Sequence, residues 1–240
     1  MLIGCMDRRL NLFLDRLADA SGDDAAMVVR NAGGCVAGAL GTIESASPTE
    51  IECYTHTDCG AMRVALAACA ELGSGKPLDG TESSPGIYDT VIAPLSGRAY
   101  GSASEIEGAN TEVQRACLAS LAASHPGMKY GCELVDLGKL NVPKPAGEHV
   151  LAIGTAFSGR YAELSARNGL EVNGTYFVQA NTIDEVLPPS LLAIDKLGLR
   201  RVVFLSAKER DNEILQQWAS SKPFEAMFRR HGINPEIIGL

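Results

Sequence analysis

The chain contains the same series of three short apolar runs twice, about 150 residues apart. The paired runs are 1–5 and 151–155, 27–31 and 177–181, and 51–55 and 202–206, so the offsets are 150, 150 and 151. Apolar runs of this length are typical of buried strands. A nearly constant offset over three runs in the same order indicates that a whole structural unit was duplicated. We therefore predict two homologous halves, residues 1–143 and 144–240, with a linker at Lys144-Pro145-Ala146-Gly147.

Stretches with helical periodicity lie between the apolar runs. Apolar residues at positions 10, 13, 14 and 17 predict a helix from Leu10 to Ala20, and further helices are expected over 61–73 and 110–123. This alternation favours an α/β fold class, with a parallel-core β-sheet flanked by helices. Residues 73–108 are rich in Gly, Ser and Pro and break the alternation. We expect a long loop there, serving as a lid, a contact surface or a mobile segment.

Composition argues against several classes of partner. The formal net charge is −8 and the basic residues form no stripe, which argues against nucleic acid. No apolar stretch approaches the roughly 20 residues that a membrane span needs, and no charged region followed by an apolar one marks the N-terminus for export. The seven cysteines are an odd number in a chain too long to depend on disulfides, which favours a reducing cytoplasm. We expect a cytoplasmic protein that acts on a small molecule.

Two clusters of polar side chains directly follow predicted strands. Cys5-Met6-Asp7-Arg8-Arg9 follows the first strand, and His56-Thr57-Asp58-Cys59-Gly60 follows the third. Because the carboxyl ends of parallel strands meet at one edge of a sheet, both clusters are expected at the edge where ligands bind. Two thiols and one imidazole, from Cys5, His56 and Cys59, are the ligand set of a catalytic Zn²⁺ site with a fourth position open to water.

The order and approximate spacing of these motifs resemble the beta-class carbonic anhydrases. The motifs are Cys5-x-Asp7-x-Arg9, then Val28-Val29-Arg30-Asn31-Ala32-Gly33-Gly34, then His56-x-x-Cys59-Gly60. The match is good over roughly residues 1 to 70 and weaker over 109–140. The resemblance implies reversible hydration of CO2 to bicarbonate by a zinc-bound hydroxide. Asp7 would accept the hydrogen bond of the hydroxide, and Arg9 would hold Asp7 away from the metal.

The second half does not repeat the metal ligands. The positions of Cys5, Asp7, Arg9, His56 and Cys59 are taken in the repeat by Thr155, Phe157, Gly159, Ala207 and Arg210. Members of the family are dimers or larger, so the resemblance implies that the second half replaces a partner subunit. We expect a pseudo-dimer in one chain with one active site, and leave a further homo-oligomer open.

Four residues are assigned to the substrate pocket. Gly33 and Gly34 permit a tight turn close to the metal edge, which is the sheet edge where Cys5, His56 and Cys59 are expected. Gly60 directly follows the predicted ligand Cys59. Phe177 aligns with Met27, at a position where the family often has a phenylalanine that lines the pocket of the other subunit. The alternative is that Phe177 is a core aromatic on a buried strand.

Two other functions are compatible with the same motifs. The scaffold also occurs in hydrolases of carbon disulfide and carbonyl sulfide, and the sequence does not separate these substrates from CO2. A non-catalytic zinc-binding regulatory protein is the third hypothesis. The Asp7–Arg9 pair argues against it, because a structural zinc site needs neither this pair nor an open coordination position.

Overall fold

The computed structural model describes residues 1–20, 27–156, 160–206 and 211–238. The strands of this part are β1 (Leu2–Cys5), β2 (Val28–Asn31), β3 (Glu50–His56), β4 (Lys129–Val135), β5 (Val150–Gly154), β6 (Thr175–Gln179), β7 (Arg201–Leu205) and β8 (Glu236–Ile238). The helices are α1 (Asn11–Ala20), α2 (Leu40–Ala46), α3 (Gly60–Gly73), α4 (Pro85–Ile87), α5 (Ala103–Ser124), α6 (Tyr161–Arg167), α7 (Ile183–Leu197), α8 (Asn212–Ala219) and α9 (Lys222–His231). Among the described residues, no helix is both long and apolar enough to cross a membrane.

The strands form one eight-stranded sheet in the order β4-β3-β1-β2-β6-β5-β7-β8. Every neighbouring pair is parallel except β2 and β6, which are antiparallel and meet at Arg30 and Gln179. The predicted α/β fold with a parallel core is confirmed. The strand order on one side of the antiparallel pair mirrors the order on the other, with four strands from each of the two predicted halves.

Strands β1 and β5 lie inside the sheet and are buried along their whole length. A parallel strand covered by helices on both faces has to be apolar throughout, which explains the short uninterrupted runs Leu2-Ile3 and Val150-Leu151-Ala152-Ile153. Cys5 is the last residue of β1 and His56 is the last residue of β3. Because β1 and β3 are parallel neighbours, the two residues end at the same edge of the sheet.

The segment 73–108 differs from the predicted long loop. Short helical segments occupy 80–83, 85–87, 88–92 and 93–95, and α5 begins at Ala103 rather than at the predicted 110. The earlier start follows from a cap that the periodicity did not reveal: the Ser102 hydroxyl accepts a hydrogen bond from the Glu105 backbone N–H at 3.3 Å. Residues 80–87 contact α7, through a Thr81–Asp195 hydrogen bond and a Glu82–Lys196 ion pair. This segment therefore joins the two predicted halves.

The strand pairing in the structure aligns β6 with β2 one residue differently from the sequence repeat. Leu2 of β1 pairs with Val28, whereas its equivalent in the repeat, Ala152, pairs with Phe177. Phe177 therefore takes the place of Val28, and Tyr176 takes the place that the sequence alignment gave to Phe177. A shift of one residue exchanges the two faces of a strand, so this difference decides which side chain points toward the metal edge.

Candidate metal centre

Three side chains converge at the carboxyl end of β1 and β3. The sulfur atoms of Cys5 and Cys59 and a ring nitrogen of His56 all lie within 4.8 Å of one another, and all three residues are buried. The two sulfur atoms are 3.9 Å apart, close to the separation of about 3.8 Å expected for two thiolates in a tetrahedral zinc site. Cys59 directly precedes α3, so that helix fixes the third ligand against the two strand ends. The donor set and its spacing fit zinc.

The His56 ring is oriented as a metal-ligating histidine. Its Nδ1 lies 2.8 Å from the backbone oxygen of Thr57, to which it donates. In the neutral form of the ring, this hydrogen bond leaves the lone pair on Nε2, which is buried and has no hydrogen-bond partner. Metal-ligating histidines commonly use one ring nitrogen in this way while the other binds the ion. A cation at the cluster would satisfy this buried nitrogen.

The ligands perturb one another electrostatically. The hydrogen bond from Cys59 and the neighbouring His56 hold the pKa of the Cys5 thiol well below its ordinary value, although burial opposes this. The pKa of Cys59 is raised, first by Cys5 and then by burial. Burial alone would lower the pKa of His56, but Cys5 and Asp7 raise it to about 9. The cluster thus attracts positive charge, as a cation site should.

Asp7 lies two residues beyond a ligand and is held by Arg9. Arg9 donates from Nε to Oδ1 at 2.9 Å and from Nη2 to Oδ2 at 2.7 Å. Arg9 also donates to the Asp58 carboxylate at 2.6 Å and to the Asp58 backbone oxygen at 2.8 Å. Burial would raise the pKa of Asp7, but Arg9 holds it below its ordinary value. Asp7 is therefore an oriented carboxylate beside the ligand cluster.

Arg30 holds the backbone of the segment that carries Cys5 and Asp7, a role that the sequence did not reveal. Its side chain is fully buried and donates to the backbone oxygens of Cys5 at 2.7 Å and Asp7 at 2.9 Å. It also donates to Asn11 at 3.0 Å and lies over the ring of Tyr161 at 4.9 Å. An arginine inside a run of buried strand residues was the available signal, because a buried guanidinium needs several acceptors.

Gly33 and Gly34 shape the turn after β2 but do not line the cavity at Cys5. Both have positive φ angles, of 76° and 66°. A Cβ on Gly34 would lie 2.9 Å from the backbone oxygen of Tyr54, so no side chain fits between the turn and the strand ends. The glycines permit close backbone approach behind Cys5, and their assignment to the substrate pocket stays a prediction.

A cavity of about 150 Å³ lies beside the metal cluster and is built from both predicted halves. From the first half it is lined by Cys5, Asp7, Arg9, Gly60 and Val64, among others. The second half contributes Tyr176, Leu192, Lys196 and Leu197. The cavity is small, and its lining combines charged side chains with apolar ones. Gly60 is among the lining residues, and its role in a substrate pocket stays a prediction.

Phe177 lies in the core and not in this cavity. It is only 1% exposed, and its ring centroid is 4.6 Å from that of Tyr161. Tyr176 lines the cavity instead, and burial followed by the nearby Asp7 raises the pKa of its hydroxyl. An aromatic side chain from the second half does reach the site, but the one-residue shift in β6 changes which one. The sequence repeat allowed either alignment because both neighbours are aromatic.

The second half has no equivalent ligand at the position of Cys5. Thr155 stands there and donates a hydrogen bond to the Asp211 carboxylate at 2.8 Å. The other predicted replacements, Phe157, Gly159, Ala207 and Arg210, lie outside the described residues. Within the described residues, the only group of three or more potential ligands is the Cys5–His56–Cys59 cluster.

Comparisons with known proteins identify no family. No family model matches the chain, and no curated protein matches it in sequence.

Proposed function

We propose that this chain is a zinc-dependent carbonic anhydrase of the beta class, which catalyses the reversible hydration of CO2 to bicarbonate. The observation that carries the proposal is the combination of the Cys5–His56–Cys59 cluster with the Asp7–Arg9 pair at one small cavity. Beyond its ligands, a purely structural zinc site would need neither an oriented carboxylate nor a cavity beside it. All seven cysteines are free thiols, which supports a reducing, cytoplasmic setting.

Cys5, His56 and Cys59 would hold the zinc ion. When bound, zinc supplies Lewis-acid activation of a water molecule, which makes that water nucleophilic toward an electrophilic carbon. Asp7 accepts a hydrogen bond from the reacting water and so orients it. Arg9 holds both Asp7 oxygens, which keeps the carboxylate in one position.

The cavity walls suit a small, linear and apolar substrate. Val64, Leu192 and Leu197 supply apolar surface next to Cys5 and Asp7. Arg63 and Lys196 line the same cavity, where Arg63 is paired with Asp58 and Lys196 with Glu82. The apolar side chains would contact CO2 next to the metal cluster.

The second half completes the site in this proposal. Tyr176 and the α7 residues supply one wall of the cavity. The mirrored strand order and the antiparallel β2–β6 pair support an origin by duplication, with the second half in the place of a partner subunit. The chain would then carry a pseudo-dimer with one active site.

Stopped-flow CO2 hydration on the zinc-loaded protein tests this function. The matched variants are Cys59→Ala, which removes a ligand, and Cys69→Ala, which removes a buried thiol outside the cluster. We expect turnover in the parent and in Cys69→Ala, and none above background in Cys59→Ala. Hydrolysis of carbonyl sulfide or carbon disulfide without CO2 hydration would replace the proposed substrate. Bound zinc without turnover of any of the three would favour a binding protein.

A further inference from the structure

One face of α5 carries polar residues where a helix packed on a sheet normally carries apolar ones. Glu107, Asn110, Thr111 and Gln114 are each at most 4% exposed. Their spacing of three, four and seven residues places them on one side of the helix. Burying four polar side chains is costly unless each finds a hydrogen-bond partner. Their partners therefore indicate what this face does.

Each of the four side chains bonds a segment that leads to the metal edge. Asn110 donates to the backbone oxygen of Gly33 at 3.0 Å, and Gln114 accepts from the backbone N–H of Val36 at 2.7 Å. The Thr111 hydroxyl is 2.7 Å from that of Thr55, which directly precedes His56. These bonds hold the turn after β2 and the end of β3 against the helix.

Glu107 makes the contact that reaches a metal ligand. Its Oε1 accepts a hydrogen bond from the backbone N–H of Cys59 at 3.0 Å. Asp58, the residue before Cys59, has a φ of 56° in the left-handed region that residues other than glycine rarely adopt. The Cys59 backbone is therefore at the end of a strained turn, where an external hydrogen bond matters for its orientation. Orientation of this peptide fixes the direction of the Cys59 side chain.

We propose that Glu107 is a positioning residue for the metal ligand Cys59, acting through its hydrogen bond to the Cys59 backbone N–H. The inference rests on the metal site of the proposed function and not on CO2 as its substrate. Groups that orient metal ligands from outside typically change metal affinity by about 10-fold to 100-fold when removed. A merely structural contact would change stability alone.

The test compares two truncations on the same helical face. Glu107→Ala leaves the Cys59 N–H without its acceptor, and Gln114→Ala leaves the Val36 N–H without its acceptor. Both remove a buried polar side chain, but only the first touches a ligand. We expect zinc affinity, measured by competition with a chromophoric chelator, to fall about 10-fold to 100-fold in Glu107→Ala and to stay near the parental value in Gln114→Ala. The thiolate charge-transfer absorption of bound Co²⁺ should change only in Glu107→Ala.

Two further variants separate the hydrogen bond from folding. Glu107→Gln keeps an oxygen acceptor at the same reach and should restore parental zinc affinity. Glu107→Asp shortens the side chain and should weaken zinc binding, which provides the measurement if Glu107→Ala does not fold. Equal zinc affinities in the parent, Glu107→Asp and Gln114→Ala would overturn the inference, as would Glu107→Gln behaving like Glu107→Asp. A parent protein that binds no zinc would overturn the metal site itself, and both proposals with it.

Discussion

Arg9 donates hydrogen bonds to both carboxylate oxygens of Asp7, at 2.9 Å from Nε and at 2.7 Å from Nη2. A planar guanidinium bound to a carboxylate at two points restricts the rotation of that carboxylate. Arg9 is held in turn by Asp58, through both its side chain and its backbone oxygen. The pair is therefore part of a network that includes Asp58, the residue before Cys59, and is not an isolated surface ion pair.

Replacement of Asp7 or Arg9 by alanine should separate catalysis from metal binding. Neither residue belongs to the ligand cluster, so the zinc content of Asp7→Ala and Arg9→Ala should stay near one per chain. CO2 hydration should fall by about 100-fold or more, because a positioned polar group at the reacting water is lost. Arg167→Ala, which removes an exposed arginine that does not line the cavity, serves as the control. Near-parental turnover in both Asp7→Ala and Arg9→Ala would refute the proposed role of the pair.

Periodicity and motif order predicted the sheet class and the grouping of Cys5, His56 and Cys59, because both depend on local patterns. Short apolar runs followed by Cys5 and by His56 can be recognised without tertiary information. The position of Arg30 in a buried strand indicated that it needs acceptors, but the sequence did not reveal which ones, because two of them are backbone oxygens of another segment. Tyr176 and Phe177 were confused because strand register is set by pairing, not by composition.

Metal removal should lower the stability of the folded chain. Zinc at three buried ligands binds only the folded state, and free zinc at about 1,000 times its dissociation constant adds about 4 kcal/mol to the free energy of unfolding. Thermal melts with zinc and with a chelator should therefore differ strongly for the parent and for Cys69→Ala. Cys5→Ala should melt at the same temperature in both conditions. A zinc-dependent shift that persists in Cys5→Ala would contradict the assigned ligand set.

Arg30→Met should destabilise the fold even without metal. The substitution keeps a long apolar side chain but removes the guanidinium donor of the Cys5 backbone oxygen and the Asn11 side-chain oxygen. The Asp7 backbone oxygen also loses its bond from Arg30 but keeps the one from the Leu10 N–H at 3.0 Å. At about 1–3 kcal/mol for each of these two groups, we expect the free energy of unfolding to fall by about 2 kcal/mol or more. Urea unfolding in the presence of chelator measures this, and a loss below about 1 kcal/mol would show that the contacts do not support the site.

Asp15 should make stability depend on pH in the acid range. It accepts hydrogen bonds from the backbone N–H groups of Tyr161 at 2.6 Å and Ala162 at 2.9 Å, and burial raises its pKa above the ordinary 3.8. A raised pKa means that the folded state binds the proton more tightly than the unfolded state, so this contribution is present at low pH and is lost as pH rises through the folded pKa. The stability difference between the parent and Asp15→Asn should thus decrease from near pH 4 upward. A difference that grows over this range would contradict the shift.

Tyr176 and Phe177 are sequence neighbours on opposite faces of β6, which makes them matched probes of the cavity wall. Phe177→Ala should cost about 3–5 kcal/mol of stability, because it removes a buried ring packed against Tyr161, while each folded zinc-bound chain keeps its turnover. Tyr176→Ala should cost less stability but lower turnover about tenfold or more, since the wall that places the substrate is lost.

Tyr176→Phe distinguishes the wall from the hydroxyl group. If the ring alone confines the substrate, Tyr176→Phe should retain parental turnover. If the hydroxyl group acts together with the nearby Asp7, which contributes to its raised pKa, turnover should fall as it does in Tyr176→Ala. The decisive measurement is the rate per folded zinc-bound chain beside the melting curve of each variant. The opposite result would be lost turnover in Phe177→Ala and unchanged turnover in Tyr176→Ala. It would mean that Phe177 lines the cavity, as the sequence repeat predicted, and would contradict the strand register of β6.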